Sequence, residues 1–246
     1  NHNINSLSTT NKTPFYIYSL PQILTNFNQF KNAAVKHGII NHLICYALKA
    51  NSHSDIIQLL KNQGAGADIV SQGELVCALK NGTDPKKIVF SGVGKTEEEI
   101  KVALSSQIYS INVESIDELE TINSIAKQSS LRARVAFRLN PQVKTKTHKY
   151  ISTGYDNHKF GIILKDIDHA LKNKDLWSNT NLVGLSIHIG SQLTCLEATS
   201  DALYELKELI KNHQLNLEFI DVGGGLGIPY NQEEENTIAT VDDYMK

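Results

Sequence analysis

The sequence predicts an α/β fold of the (β/α)8 TIM-barrel type, on three observations. Short apolar, β-prone runs alternate with longer segments of helical period. The early runs end at Lys49, Val70, Ser91 and Val113, so they recur every 21 or 22 positions, the length that a strand, a helix and two short loops need. Each run is apolar almost throughout, as parallel strands covered on both faces are. A doubly wound open sheet produces the same alternation. The even spacing, without a long mid-chain reversal, favours the barrel.

Seven runs read as strands: 43–49 (LICYALK), 67–70 (ADIV), 87–91 (KIVFS), 108–113 (IYSINV), 134–140 (RVAFRLN), 182–189 (LVGLSIHI) and 217–223 (LEFIDVG). An earlier run, 14–19 (PFYIYS), precedes a helical stretch at 21–38 and could be counted as an eighth. Residues 54–64 form a helix with Ser54 or Asp55 as cap and Gly64 as stop. Residues 73–82 form the next, ending at Gly82. Residues 95–106 carry acids in the first turn, where the helix dipole favours them. Residues 115–128 open on Ser115 and Glu118, the capping-box spacing. Residues 198–214 repeat apolar positions at helical spacing. The last strand is followed by a polar tail that looks like the start of a loop and helix. The expected organisation is a polar segment at 1–13 and an incomplete barrel at 14–246.

Composition narrows the function classes. Of 246 residues, 41% are hydrophobic and 20% charged, with 24 Lys plus Arg against 26 Asp plus Glu. That balance gives no basic face for nucleic acid. No apolar run approaches the roughly 20 residues of a membrane span, and the first residues lack a signal peptide's apolar core. Cys45, Cys77 and Cys195 are far apart and odd in number. They argue against disulfides or a zinc site, fit a reducing cytoplasm, and read as small core residues.

In a parallel barrel, chemistry gathers at the C-terminal ends of the strands. There the sequence places Lys49, Asp68, Arg138 with Asn140, His188 with Gly190-Ser191-Gln192, and Gly223-Gly224-Gly225-Leu226-Gly227. The glycine run can cradle a phosphate with backbone amides or simply make a tight turn. His188 is either a satisfied core histidine or a ring that stacks on an aromatic cofactor. Arg138 is either functional or half of a buried ion pair, with Asp68 as its partner. Ser91-Gly92-Val93-Gly94-Lys95-Thr96 mimics a nucleotide-binding loop, but Val89 stands where its first glycine is required, so that reading is rejected. Glu97-Glu98-Glu99 and Glu233-Glu234-Glu235 read as solvated faces, and the other histidines show no metal-ligand spacing. One cofactor accounts for a lysine, a phosphate cradle and ring-tuning groups together: pyridoxal 5'-phosphate. A desolvated lysine has a lowered pKa and serves as its nucleophile.

Seven segments in order, YALKAN, GAGADIVSQGEL, IVFSGVGKTEEEI, FRLNP, THKYISTG with HKFG, HIGSQL and DVGGGLGIPY, resemble the fold-type III, alanine-racemase-like pyridoxal-phosphate decarboxylases that act on ornithine, arginine and diaminopimelate. SGVGKT and KYISTG favour the diaminopimelate branch. The resemblance implies that Lys49 bonds covalently to the cofactor and that His188 stacks on its ring. It places Ser191, Gly223, Gly224 and Gly225 at the phosphate, and Asp68 and Arg138 near the ring and its 3-hydroxyl. It implies decarboxylation of meso-2,6-diaminopimelate to L-lysine, the last step of lysine synthesis, by a cytoplasmic homodimer. In the family 14–19 belongs to the approach to the barrel. The family's eighth strand carries Glu-Pro-Gly-Arg, and a β-domain that adds substrate-binding residues follows it. No Glu-Pro-Gly-Arg occurs here, so a truncated chain lacking both is expected. The alternatives are an inert fragment or a cofactor-binding half that needs another chain, and an ornithine or arginine decarboxylase on the same barrel.

Overall fold

The computed structural model describes residues 7, 9, 11–141, 160–231 and 238–246. Ser19 opens the first helix: its side chain accepts the Gln22 amide at 3.3 Å, Pro21 presets the first turn, and α1 runs Leu20–Lys36. The barrel units follow as β1 (Cys45–Ala47), α2 (Ser54–Asn62), β2 (Gly66–Ile69), α3 (Gln72–Lys80), β3 (Ile88–Phe90), α4 (Glu97–Ser105), β4 (Ser110–Val113), α5 (Ile116–Gln128) and β5 (Ala133–Asn140). The rest comprises β6 (Ile162–Ile163), α6 (Leu164–Lys172), β7 (Thr180–Ser186), α7 (Glu197–His213), β8 (Phe219–Asp221) and α8 (Val241–Met245). All strands pair in parallel, in the order β1-β2-β3-β4-β5-β7-β8, and β6 adds to the end of β5. The seven expected strands are all present, and residues 14–19 lie outside the sheet. Among the described residues no helix is long and apolar enough to cross a membrane.

Boundaries differ where side chains intervene. β1 stops at Ala47, and Leu48–Ala50 turn as a 3-10 helix, with the Tyr46 hydroxyl donating to the Asn51 carbonyl at 3.0 Å. α2 is capped by His53, whose Nδ1 accepts the Asp55 amide at 3.3 Å, and not by Ser54 or Asp55, which are already helical. Ser115 caps α5 as expected, but the Glu118 carboxylate does not close the box: it reaches the Glu114 amide at 3.0 Å. Glu97 and Glu98 are exposed, whereas Glu99 completes a capping box with Thr96 and accepts the Gln72 amide at 3.0 Å. The three cysteines are free and only partly buried, so they are not the core residues expected. α6 and β6, in a stretch where no element was expected, follow the undescribed residues 142–159.

Successive strand residues point to opposite faces, and the two sets differ sharply. Ile88, Phe90, Ile111, Val113, Val135, Phe137, Leu139 and Leu185 join Leu75, Ile100, Leu119 and Ile122 of the helices in one buried core. The alternate set, which faces the barrel interior, is mostly polar: Asp68, Ser110, Asn112, Arg138, Asn140 and Ser186, with Val89 and Ala136 among them. The N-terminal end of that interior is plugged. The Phe219 ring packs 4.9 Å from Tyr109, in space that a side chain at Gly184 would take. Arg134 lies over Tyr109 and donates to both oxygens of Glu218.

Lys95 of the rejected phosphate-loop look-alike is an internal clamp. Its side chain is 1% exposed. Its ammonium donates to Gly92 O, Asn112 O and Glu118 Oε1, each at 2.7 Å, which satisfies all three of its donors. Burial pushes the Glu118 carboxyl up by more than Lys95 pulls it down. At the other side of the barrel, α8 ties the ends of the chain together: Asp242 accepts from Lys36 at 2.7 Å and lies 3.1 Å from His37, and the Tyr244 hydroxyl donates to Val222 O at 3.2 Å.

Lys95→Met leaves a buried carboxylate and two carbonyls bare, so it is expected to cost about 3–5 kcal/mol in urea unfolding. A loss under about 1 kcal/mol, the range of a surface pair, contradicts the clamp. Adding Glu118→Leu removes the bare carboxylate but also the acceptor of the Glu114 amide, so it should recover only part of the loss.

Candidate functional site

The polar strand ends converge on the C-terminal rim. Lys49 sits on the turn after β1 and is exposed, so the structure does not give it the desolvated site expected from the sequence. Its charge nevertheless acts on two groups of the rim, Asp68 of β2 and His188 after β7. Burial pushes the Asp68 carboxyl up to about 6; the Ser91 hydroxyl draws it back, Asp221 raises it and Lys49 lowers it. Asp68 Oδ1 is buried and has no hydrogen-bond partner among the described residues.

Arg138 does not pair with Asp68. Its Nη1 donates to Glu114 Oε1 at 2.6 Å, and both groups are buried. Glu114 Oε2 accepts the Gly161 amide at 2.9 Å, and the Phe160 ring lies 5.5 Å from the guanidinium. Glu114 therefore fixes Arg138 and the approach to β6 together. His188 is held below the usual histidine range, first by burial, then by the Arg138 and Lys49 charges. It is neutral near pH 7. The Gly224 amide lies 3.4 Å from its Nδ1, which assigns the ring proton to Nε2.

The loops after β7 and β8 run side by side. Leu193 N donates to Gly225 O at 2.8 Å, and Gly227 N donates to Leu193 O at 2.9 Å. Gln192 Oε1 accepts the Ile228 amide at 3.2 Å, while Ser191 is exposed beside it. Two of the three glycines are required by the backbone. Gly223 and Gly225 have φ of 75° and 86°, and a Cβ on them would run into Ile187 O and Gly190 O respectively. Gly224 has nothing within 4 Å of a Cβ, so it leaves open space at the rim.

Below the rim, Asp221 anchors the glycine loop. Its Oδ1 accepts the Gly223 amide at 2.9 Å, and its Oδ2 accepts from Asn112 Nδ2 at 2.9 Å and Ser186 Oγ at 3.1 Å. The structure thus brings Lys49, Asp68, His188 and the glycine loop to one rim and adds Glu114, Asn112 and Asp221, which sequence reasoning passed over. Asn112 lies at an interior position of β4, Glu114 just past that strand's end, and Asp221 heads the glycine motif, so their positions carried the signal. The THKYISTG segment and the start of HKFG lie outside the described residues.

Residues 20–245 match the family described as "Pyridoxal-dependent decarboxylase, pyridoxal binding domain". The chain is 44% identical over 239 residues to the diaminopimelate decarboxylase of Helicobacter pylori strain J99, covering 94% of this chain and 57% of that protein. It is 40% identical over 235 residues to that of Aquifex aeolicus, covering 94% and 55%. The chain therefore spans a little over half the length of these curated relatives. Among solved structures it resembles the Helicobacter pylori diaminopimelate decarboxylase complexed with L-lysine, with a TM-score of 0.88 at 40% identity, covering 99% of this chain and 61% of that one.

Two outcomes test this geometry. Gly225→Ala should lower the melting temperature sharply through both strain and a backbone clash, while Gly224→Ala should stay within about 0.5 kcal/mol of the parent; equal effects refute the assignment of the two roles. Asp68 binds its proton more tightly folded than unfolded, so its contribution is full below pH 3.8 and is lost as pH rises through about 6. The parent should therefore lose roughly 3 kcal/mol relative to Asp68→Asn between those limits. A stability difference that is flat with pH in denaturant titrations contradicts the buried carboxyl with its raised pKa.

Proposed function

We infer, from the premise that this chain belongs to the pyridoxal-dependent decarboxylases through their pyridoxal-binding domain, that it supplies the cofactor-binding barrel of an enzyme converting meso-2,6-diaminopimelate to L-lysine and carbon dioxide. The observation that carries this reading is the shared rim: one lysine acts electrostatically on both Asp68 and His188, and His188 touches the glycine loop. The identity to diaminopimelate decarboxylases over 94% of the chain supports the substrate. The likeness to a structure complexed with L-lysine, the proposed product, supports it too.

The residues present fit the cofactor. Gly224 leaves room for a phosphate against backbone, and Asp68 offers an unpartnered buried oxygen beside the lysine. When bound, pyridoxal phosphate supplies an aldehyde that captures amines and a conjugated ring that draws electrons from the carbon losing its carboxylate. In this reading Lys49 is the amine that would hold the cofactor covalently, and its exposed turn leaves it accessible. His188 offers a flat, neutral face, its proton fixed on Nε2. Ser191 and the Gly223-Gly224-Gly225 loop hold the phosphate. Asp68 faces the ring, and Arg138, braced by Glu114, stands near its substituents. Further polypeptide, from the same chain or a partner subunit of a homodimer, completes the site. That part of the proposal is motivated by β1 and β8, which each pair on one side only among the described residues. The three free cysteines fit a reducing cytoplasm.

Borohydride reduction in the presence of pyridoxal phosphate should leave a phosphopyridoxyl group on Lys49, read by peptide mass spectrometry, and none in Lys49→Ala. Labelling scattered over other lysines with Lys49 bare would sink the reading. In the complete protein, lysine should be released from meso-2,6-diaminopimelate in preference to any product from ornithine or arginine. A preference for ornithine moves the chain to another branch of the same barrel.

A further inference from the structure

The glycine loop depends on what fixes its start. β8 has three residues and pairs only with β7 among the described residues. Its loop is nevertheless pressed close: a Cβ at Gly223 would lie 3.0 Å from His188 Cα and 3.1 Å from His188 Nδ1. The anchor is Asp221, whose Oδ1 accepts the Gly223 amide two residues on, an Asx turn. The other carboxylate oxygen is held from across the barrel. Asn112 belongs to β4, which β5 and β7 separate from β8 in the sheet. Its Nδ2 reaches Asp221 Oδ2 at 2.9 Å, Ser91 Oγ at 3.2 Å and Ser186 Oγ at 3.3 Å. Asn112 is 1% exposed, and its backbone carbonyl is itself held by Lys95. The strut therefore runs from the Lys95 clamp through Asn112 and Asp221 to the first glycine.

We propose that Asn112 and Asp221 form a cross-barrel strut that sets the glycine loop against His188, and that they act as positioning residues for the phosphate end of the cofactor. The proposal rests on the functional reading given above. Neither residue is proposed to touch the reacting atoms. The strut is polar and directional: an amide donates, a carboxylate accepts twice, and the turn needs the remaining oxygen. It tolerates reversal but not mismatch.

The test is an exchange cycle read by cofactor titration. The measured quantity is the preference for pyridoxal phosphate over pyridoxal, the ratio of their dissociation constants from absorbance and fluorescence. Asn112→Asp sets carboxylate against carboxylate, and Asp221→Asn sets amide donor against amide donor. Each should cut the preference about tenfold, the scale of one charge-assisted hydrogen bond. In the exchanged pair, Asn112→Asp with Asp221→Asn, the amide introduced at 221 donates to the carboxylate introduced at 112 and still accepts the Gly223 amide. Recovery of the parent preference in the exchanged pair supports the strut. Folded single variants that keep the full preference overturn it. If a single variant fails to fold, the exchanged pair decides alone: folded with the parent preference supports the strut, and folded without it, or unfolded, overturns it. A parent protein with no preference for the phosphorylated form overturns the functional reading itself. A preference that persists through every variant overturns only the strut.

Discussion

Alternation along the parallel strands is the constraint on which the rest depends. One face of strands β2 to β7 joins the helices in a single apolar core, and the other lines a barrel interior that is mostly polar, with Val89 and Ala136 as apolar members. A polar group removed from water must find a partner, so the interior has to be wired. The wiring is specific. Arg138 takes Glu114, Asn112 takes Asp221, and Ser186 bridges that pair. Asp68 Oδ1, Ser110 Oγ and Asn112 Oδ1 stand apart, buried and without partners among the described residues. The first of these lies at the rim.

The rim is held by acids borne on the helices. Glu74 accepts the Val70 amide, Glu99 the Gln72 amide, and Glu118 the Glu114 amide. Each lies in or beside the first turn of its helix, where the dipole already favours negative charge. Glu99 and Glu118 also reach into the preceding unit, so the loops after β2 and β3 are each tied to the next unit. These bonds cross-link the loops at the rim, which are otherwise the least ordered part of a barrel.

Much of this was legible in the sequence because it is periodic. Spacing gave the strands, and strand ends gave Lys49, Asp68, Arg138, His188 and the glycines. The wiring was not legible because partners across a barrel are distant along the chain: Asn112 and Asp221 are 109 positions apart. Arg138 was read as a possible ion pair but assigned to the wrong acid, since nothing local distinguishes Glu114 from Asp68. Lys95 looked like half of a phosphate loop because a lysine after glycines serves either chemistry, and only its three internal acceptors decide. The expectation for Lys49 erred differently. An apolar run before a lysine suggested a strand carried to its end, but the chain coils one turn early and leaves the amine in the open.

The contact between α1 and α8 bears on how such a chain is made. Lys36 and Asp242 meet across 206 intervening steps of sequence. A ribosome extends a chain at about 5–20 residues per second, so the first helix leaves the tunnel on the order of 10–40 s before its distant partner exists. In that interval Phe27 can shelter against Ile56, Leu60 and Ala65 of the next unit, which is already at hand. The order of birth thus separates two seams: one that zips as synthesis proceeds, and one that waits until α8 is made.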